Sequence, residues 1–236
     1  MLSKAKILKL IFTLALFSAA GFMSAYAAVA EHDHSQHEHQ HHAPVPTISG
    51  EEDPHAHHKA MMKKPAEPAS STQVELLDKV LLDQNGKEVR FVSDVIGDNI
   101  VVMDFIYTSC TTVCPVLSAI LTQVQSKLGE RMGKEVTLIS VSVDPIRDTP
   151  QRLKAYAANH KAKPGWSWLT GQKRTMDEVL DGLGAYSPNF EDHPAMVLVG
   201  DGRTGQWFRF FGFPNPDRLM EQVNSLQAAR NVAKGD

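Results

Sequence analysis

Cys110 and Cys114 are the only cysteines of the 236-residue chain, and their spacing is the strongest chemical signal in the sequence. They follow a nearly continuous apolar run, 100–107, which is typical of a strand buried on both faces. A segment with apolar residues at helical spacing, about 113–128, comes next. Both thiols are therefore expected at a helix N-terminus, where free N–H groups lower the pKa of a thiol. Their sulfurs can form a redox-active disulfide or bind one metal ion; a purely structural disulfide is the alternative.

Histidine could complete a metal site, and residues 71–236 contain only two histidines. His193 directly precedes an apolar segment, 195–199, which is predicted to be a core strand. If that strand lies beside the strand at 100–107, His193 can face the cysteines as a third ligand. A structural histidine is the alternative interpretation. His160 ends a predicted surface helix, and we expect its side chain to be solvated.

The other patterns predict an alternating order of strands and helices around these residues. Asn85-Gly86 is typical of a hairpin turn between two strands, predicted at 74–82 and 87–92. The further predicted elements are core strands at 136–143 and 195–199, strands at 166–169 and 206–211, and helices at 149–159, at 175–183 and after Asn215. This order favours an α/β sandwich with a mixed central sheet and an N-terminal β-hairpin.

The composition excludes several classes of protein. There are 24 Lys and Arg against 27 Asp and Glu, so the net charge is -3 and no nucleic-acid partner is expected. A hydrophobic fraction of 42% is enough for one folded domain and excludes a wholly disordered chain. Two cysteines are too few for a scaffold stabilised by several disulfides.

Residues 1–27 have the pattern of an export signal. Lysines precede an uncharged apolar stretch, which ends in the small-x-small cleavage pattern Ala25-Tyr26-Ala27. An uncleaved N-terminal anchor is the alternative, because the uncharged stretch 10–30 is long enough to span a bilayer. In both cases the rest of the protein is expected in the periplasm or at the outer face of the inner membrane, with no other contact with the membrane.

Residues 28–70 are predicted to be a disordered tail rich in histidine, followed by the folded domain at 71–236. Nine of the 11 histidines lie between His32 and His58, interleaved with Glu, Gln, Asp and Pro, and almost nothing there could form a core. Imidazole suits copper, zinc and nickel, so one interpretation is loose metal capture at several sites. The other is a solvated linker whose histidines titrate near neutral pH.

Three motifs in this order resemble the SCO/SenC family: Thr108–Pro115, Ser142–Pro150 and Asp192-His193. Members of that family are copper-binding proteins with a thioredoxin fold, and they support assembly of the binuclear copper site of cytochrome c oxidase. The resemblance covers about 72–230. It implies a thioredoxin-like three-layer sandwich in which Cys110, Cys114 and His193 bind one copper ion, as Cu(I) or Cu(II).

One acidic residue, Asp104, interrupts the apolar run before the cysteines. Its place in the strand resembles that of the buried aspartate of thioredoxin, which assists proton transfer at the inner thiol. That resemblance implies a base of raised pKa beneath Cys114. An aspartate hydrogen-bonded within the sheet is the alternative.

These observations favour an exported copper chaperone that supplies copper to a partner copper protein such as an oxidase subunit, or keeps the cysteines of that partner reduced. A metal-free thiol–disulfide oxidoreductase acting on other thiol-redox proteins is the main alternative. In that case Cys110 is the nucleophile, Cys114 the resolving thiol and Asp104 the base. A metal buffer, in which the histidine-rich tail binds the metal, is a third hypothesis.

Overall fold

Long apolar runs form the centre of a mixed six-stranded sheet in the computed structural model, which describes residues 69–232. The six strands of this sheet are β1 (Ser70–Thr72), β4 (Ile100–Ile106), β5 (Val136–Ser142), β6 (Trp166–Leu169), β7 (Met196–Asp201) and β8 (Trp207–Phe211). Strands β2 (Val80–Leu82) and β3 (Glu88–Arg90) form a separate two-stranded sheet. The helices are α1 (Val113–Leu128), α2 (Pro150–Asn159), α3 (Lys173–Gly182) and α4 (Pro216–Val232). Every residue of β4, β5 and β7 is buried, as expected for central strands covered on both faces.

The strand order β1-β8-β7-β4-β5-β6 contains both parallel and antiparallel pairs. Strand β4 pairs in parallel with β5, where Asp104 lies opposite Ser140. It pairs antiparallel with β7, where Asp104 lies opposite Val197. The carboxyl ends of β4 and β5 and the amino end of β7 therefore meet at one edge of the sheet. We call this edge, formed by the loops that follow Ile106 and Ser142 and precede Met196, the site edge.

Helices cover both faces of the sheet, so the predicted α/β sandwich with a mixed sheet is confirmed. Successive side chains of β4 point to opposite faces of the sheet. One core cluster therefore contains Ile100, Val102 and Ile106, and the other contains Val101 and Met103. The first cluster includes side chains of α1, α2 and α4. The second cluster includes side chains of α3 and of the hairpin β2–β3.

The N-terminal hairpin is present, but its strands are shorter than predicted. Gly86, with a φ of 79°, completes a turn in which its N–H donates to Asp83 O at 2.9 Å. Residues 74–79 do not extend the strand: the N–H of Glu75 donates to Gly182 O, and Asp78 accepts from the backbone of Val92. Because residues 74–79 make hydrogen bonds outside the hairpin, the strand predicted at 74–82 is shortened to Val80–Leu82.

Strand β1 was not predicted from the sequence. Its residues, Ser70–Thr72, have no apolar periodicity, and it begins one residue before the predicted domain boundary. It pairs antiparallel with β8, with Ser70 opposite Arg209 and Thr72 opposite Trp207. The strand exists because an exposed sheet edge supplies hydrogen-bond partners, which a local pattern does not reveal.

Within 69–232 no helix combines the length and the apolar character needed to cross a membrane. The predicted export signal or anchor at 1–27 lies outside the described residues. The same holds for the predicted histidine-rich tail up to residue 68.

Helix α4 is fixed to the sheet by a buried ion pair. The Arg230 guanidinium donates to both carboxylate oxygens of Asp201, and the two side chains are 7% and 1% exposed. Burial alone would raise the pKa of Asp201, but Arg230 holds it below its ordinary value.

Arg230→Ala is expected to lower the free energy of unfolding by about 3–5 kcal/mol, because the buried Asp201 loses its cationic partner and keeps only the backbone N–H groups of Arg203 and Thr204. Urea denaturation of both proteins measures this difference. Arg203→Ala is the matched control, since Arg203 lies 3.9 Å from the exposed Asp98 and an exposed pair contributes only about 0–1 kcal/mol. Equal losses in the two variants would contradict the anchoring role of Arg230.

Candidate functional site

The cysteine loop lies between the end of β4 and the start of α1, as predicted. Thr112 is the N-cap residue of α1, but its side chain makes no capping hydrogen bond. Instead the N–H of Cys114 donates to Cys110 Sγ at 3.4 Å. The sulfur of Cys110 thus takes the position of a capping oxygen at a helix end that carries partial positive charge.

The two thiols have opposite pKa shifts. Burial opposes ionisation of Cys110, but the N–H groups of Cys114 and Thr112, with smaller contributions from the Cys114 and Tyr107 side chains, lower its pKa to about 7. Burial raises the pKa of Cys114, and the neighbouring Cys110 and Asp104 raise it further. Both are free thiols, with exposed fractions of 7% and 0%. Near neutral pH the site therefore combines one partly ionised thiol, Cys110, with one protonated thiol, Cys114.

A buried carboxylate holds the cysteine loop in place. Asp148, in the loop between β5 and α2, accepts hydrogen bonds from Thr108 N at 3.1 Å and Thr108 Oγ1 at 2.6 Å. It also accepts from Ser142 Oγ at 2.7 Å. Asp148 was not singled out from the sequence, although an acidic residue just before the helix start Thr149-Pro150 was an available signal.

His193 reaches the site edge in the loop before β7. Its Nδ1 lies 2.8 Å from the carbonyl oxygen of Phe190. A carbonyl can only accept, so Nδ1 carries the proton and the neutral ring has its lone pair on Nε2. That Nε2 is buried and has no hydrogen-bond partner among the described residues. Metal-binding histidines characteristically have this arrangement, with one nitrogen bonded to a carbonyl and the other free.

Tyr107 connects the histidine with the cysteine loop. Its ring packs edge-on against His193, at a centroid distance of 5.8 Å, and against Phe190, at 5.0 Å. The guanidinium carbon of Arg147 lies over the ring of Phe190, 5.1 Å from its centroid. Burial and the nearby Cys110 raise the pKa of Tyr107 to about 12. Sequence reasoning missed this aromatic pair, whose only signal was a tyrosine immediately after the buried strand.

The structure brings together some, but not all, of the predicted metal ligands. Cys110 and Cys114 are in contact, and His193 lies at the same edge against Tyr107. Within residues 69–232, however, no three side chains of His, Cys, Asp or Glu are grouped closely enough to hold a metal ion. The fit of the site to copper therefore rests on the two soft sulfur donors and on the free Nε2.

Asp104 is fully buried on the sheet face that α1 covers. Its Oδ1 accepts a hydrogen bond from Ser140 Oγ at 2.5 Å, and Ser140 Oγ accepts from Trp166 Nε1 at 3.0 Å. Its Oδ2 has no partner in the part of the chain that the structure describes. Burial raises the pKa of Asp104 to about 7, partly opposed by the Ser140 bond. Asp104 is thus hydrogen-bonded within the sheet and also has the raised pKa that a base would need.

Contrary to the prediction, the His160 side chain is not fully solvated. Its ring is half-buried, tilted against Tyr156 at a centroid distance of 4.8 Å and stacked near Trp168 at 6.4 Å. Burial lowers its pKa. The last residues of an amphipathic helix can face the core as well as solvent, and sequence position alone does not distinguish the two.

Comparison with known proteins now identifies the family. The SCO1/SenC family model matches residues 75–226. The chain belongs to the SCO1/SenC family. A curated relative, the SCO1 protein homolog of Bacillus subtilis, is 38% identical over 94 residues, which is 39% of this chain and 47% of that protein. The chain thus matches about half the length of this Sco relative.

Solved Sco structures have the same fold. BsSco, a member of the Sco family of cytochrome c oxidase assembly proteins with a disulfide switch, is 29% identical with a TM-score of 0.56. The match covers 66% of this chain and 95% of BsSco. Copper-bound ScoI of Bradyrhizobium japonicum is 27% identical with a TM-score of 0.51, covering 67% of this chain and 98% of ScoI. The thioredoxin-like sandwich implied by the sequence motifs is therefore confirmed.

In this Sco protein the two thiols are expected to react over different pH ranges. Thiolate is the reactive form, so alkylation of Cys110 in the reduced, metal-free protein should rise around a midpoint of about 7. Cys114 should react only well above the ordinary thiol range. Iodoacetamide modification of each cysteine across a pH series, followed by peptide mass spectrometry, measures both midpoints.

Cys114→Ser is the control for this titration, because it removes the second thiol and keeps the backbone N–H that bonds to Cys110. The midpoint of Cys110 should stay below that of an ordinary thiol in this variant. One shared midpoint for both cysteines of the unmodified protein would contradict the assigned asymmetry.

Proposed function

We propose that the protein is an exported copper chaperone that binds one copper ion through Cys110, Cys114 and His193. It supplies copper to a partner copper protein, or keeps the cysteines of that partner reduced. The partner is an oxidase subunit that carries the binuclear copper site of cytochrome c oxidase. The observation that carries the proposal is a pair of thiols at a helix N-terminus, with His193 at the same edge of the sheet and its Nε2 without a hydrogen-bond partner among residues 69–232.

The donor set suits both oxidation states of copper. Two thiolates are soft ligands that suit Cu(I), and the imidazole of His193 adds a third donor that strengthens Cu(I) binding and makes the site acceptable to Cu(II). The sulfurs must be deprotonated to bind, and the raised pKa of Cys114 makes its proton the harder one to displace. Copper affinity is therefore expected to fall as the pH is lowered.

Binding of one copper ion by all three donors requires His193 to move closer to the cysteines than it lies among the described residues. The segment before β7 consists of a short helical turn, Phe190–Asp192, and His193 itself. Tyr107 already contacts this segment and follows β4 directly, so it is placed to guide the movement.

An extracytoplasmic location is part of the proposal. It is supported by the sequence of residues 1–27, which has the lysines, the apolar stretch and the small-residue pattern of an export signal. The protein would act in the periplasm or at the outer face of the inner membrane. Paired thiols in such an oxidising compartment need a reductant, and other thiol-redox proteins are the expected source.

His193→Ala is expected to weaken Cu(I) binding at the cysteines by at least about 100-fold, because even outer-sphere partners of metal ligands contribute about 10–100-fold. The full chain is titrated anaerobically against a competing Cu(I) chelator. The ultraviolet Cu(I)–thiolate absorption reports the cysteine site separately from the other histidines.

His160→Ala is the matched control, since it removes the only other histidine of residues 69–232. It should leave the thiolate signal and the affinity unchanged. Equal affinities for the unmodified protein and His193→Ala would remove His193 from the site. Copper binding without any thiolate signal would leave the histidine-rich segment as the only metal site and favour a metal buffer.

A second candidate function, thiol–disulfide exchange, is favoured by the opposite pKa shifts of the two thiols. The Cys110 thiolate attacks a partner disulfide and forms a mixed disulfide, releasing one partner thiolate. Cys114 then gives its proton to the Asp104 carboxylate and attacks Cys110 Sγ, which releases the second partner thiolate. The partner gains two electrons, and the chain is left with a Cys110–Cys114 disulfide. The disulfide switch of BsSco supports this alternative.

Asp104→Asn is expected to slow disulfide exchange by about 100-fold, the usual contribution of a general base. The rate with a small aromatic disulfide, followed by released thiolate, measures the effect above pH 7, where Asp104 is ionised. Asp144→Asn is the control, because this buried carboxylate is paired with Arg147 and lies in the next loop. An exchange rate unaffected by Asp104→Asn would eliminate the base.

A further inference from the structure

The segment that carries His193 makes its hydrogen bonds locally. Asn189 caps the short helical turn before the histidine. His193 donates to the carbonyl oxygen of Phe190 twice, from its backbone N–H at 3.4 Å and from Nδ1 at 2.8 Å. Among residues 69–232, the hydrogen bonds of residues 189–193 all join members of this segment. Contacts of another kind must therefore hold the segment at the site edge.

The ring of Phe190 provides those contacts. It packs edge-on against Tyr107 at a centroid distance of 5.0 Å, and the guanidinium carbon of Arg147 lies 5.1 Å from its centroid. The ring is also partly buried against the core cluster that includes α3. Aromatic pairs and cation–π contacts each favour a defined placement of the ring. Phe190 thus joins the histidine segment to the end of β4 and to the loop after β5.

Arg147 is itself held in place by its own loop. Its guanidinium donates to Asp144 Oδ2 at 3.1 Å, and Asp144 is buried. Its carbonyl oxygen accepts from Arg152 Nη1 at 3.1 Å. The next residue, Asp148, accepts hydrogen bonds from Thr108 at the start of the cysteine loop. The loop between β5 and α2 therefore holds the cysteine segment through Asp148 and the histidine segment through Arg147.

The position of Phe190 affects the chemical state of the His193 ring. The carbonyl oxygen of Phe190 receives the Nδ1 proton, so the lone pair lies on Nε2. Partners of this kind orient the histidines of metal sites and contribute to metal affinity. A substitution cannot remove a backbone carbonyl, but the ring of the same residue determines where that carbonyl lies.

We propose that Phe190 is a positioning residue for His193. Its ring, held between Tyr107 and Arg147, anchors the histidine segment and keeps Nε2 available as a copper ligand. An anchored segment loses less conformational freedom on binding than an unanchored one, so the anchor raises the affinity of the site. This inference rests on the proposed copper function of the cysteines and His193.

The first test is an anaerobic titration of the full reduced chain against a competing Cu(I) chelator, with the Cu(I)–thiolate absorption as the signal. Phe190→Leu removes the ring and keeps the carbonyl. Its Cu(I) affinity should be about tenfold lower, the smaller of the usual effects of an outer partner of a metal ligand. Phe190→Tyr keeps the ring and both of its contacts, so its affinity should stay within about twofold of the unmodified protein.

Phe211→Leu is the matched control. Phe211 also lies under an arginine, with the guanidinium carbon of Arg209 5.9 Å from its ring centroid, but it ends β8 and lies outside the histidine segment. This variant loses an aromatic ring and a cation–π contact, and its Cu(I) affinity should change by less than about twofold.

The double variant Phe190→Leu with His193→Ala separates positioning from a general effect on the fold. A ring that acts through His193 has no further effect once the imidazole is gone, so the double variant should bind Cu(I) as His193→Ala does. A ring that only stabilises the fold would lower the affinity in both backgrounds. A loss of about tenfold in both would therefore overturn the positioning role.

Nitrogen-15 NMR of the reduced, metal-free chain gives a second readout, with His193→Ala used to identify the His193 signals. The unmodified protein should have one tautomer, with the proton on Nδ1, whereas Phe190→Leu should distribute the proton over both nitrogens. An unchanged tautomer or an unchanged Cu(I) affinity in Phe190→Leu would overturn the positioning role and leave the copper site standing. A missing Cu(I)–thiolate signal in the unmodified chain would overturn both.

Discussion

The mixed pairing of β4 is the constraint on which the site depends. Its parallel neighbour β5 brings the loop with Asp148 to the edge where the cysteine loop begins, and this carboxylate then holds Thr108. Its antiparallel neighbour β7 starts at the same edge, with His193 just before it. If β7 ran parallel to β4, the histidine would lie at the opposite end of the sheet, one strand length away. Two thiols and an imidazole that are 83 and 79 residues apart in the chain lie at the same edge of the sheet because of this strand direction.

Two buried carboxylates near the cysteines illustrate different uses of the same group. Asp148 accepts hydrogen bonds from Thr108 and Ser142 and so fixes a loop, although burial raises its pKa as well. Asp104 has one donor, Ser140, and one oxygen without a partner among the described residues. Leaving a buried carboxylate incompletely bonded is costly, and its pKa rises as a result. A group in that state is suited to exchanging a proton near neutral pH, whereas Asp148 is suited to holding structure.

The two proposed functions, copper binding and disulfide exchange, would use the same two sulfurs. Formation of a Cys110–Cys114 disulfide removes both soft ligands, and bound copper blocks the nucleophile. Both processes also have a common requirement: Cys114, whose pKa is raised by burial, must lose its proton. In both proposed functions, Asp104 is the buried group placed to accept that proton.

The sequence by itself identified the candidate chemical groups and most of the secondary structure. Local patterns were sufficient for the cysteine pair, the buried runs of β4 and β5 and the Asn85-Gly86 turn, and the resemblance to thioredoxin implied the raised pKa of Asp104. Only the tertiary structure decided the direction of β7, the existence of β1, the bonds of Asp148 and the stacking of His160. These features depend on partners far away in the chain. A backbone hydrogen bond or a ring contact between such partners requires no periodic pattern of residue types, so the local sequence does not predict it.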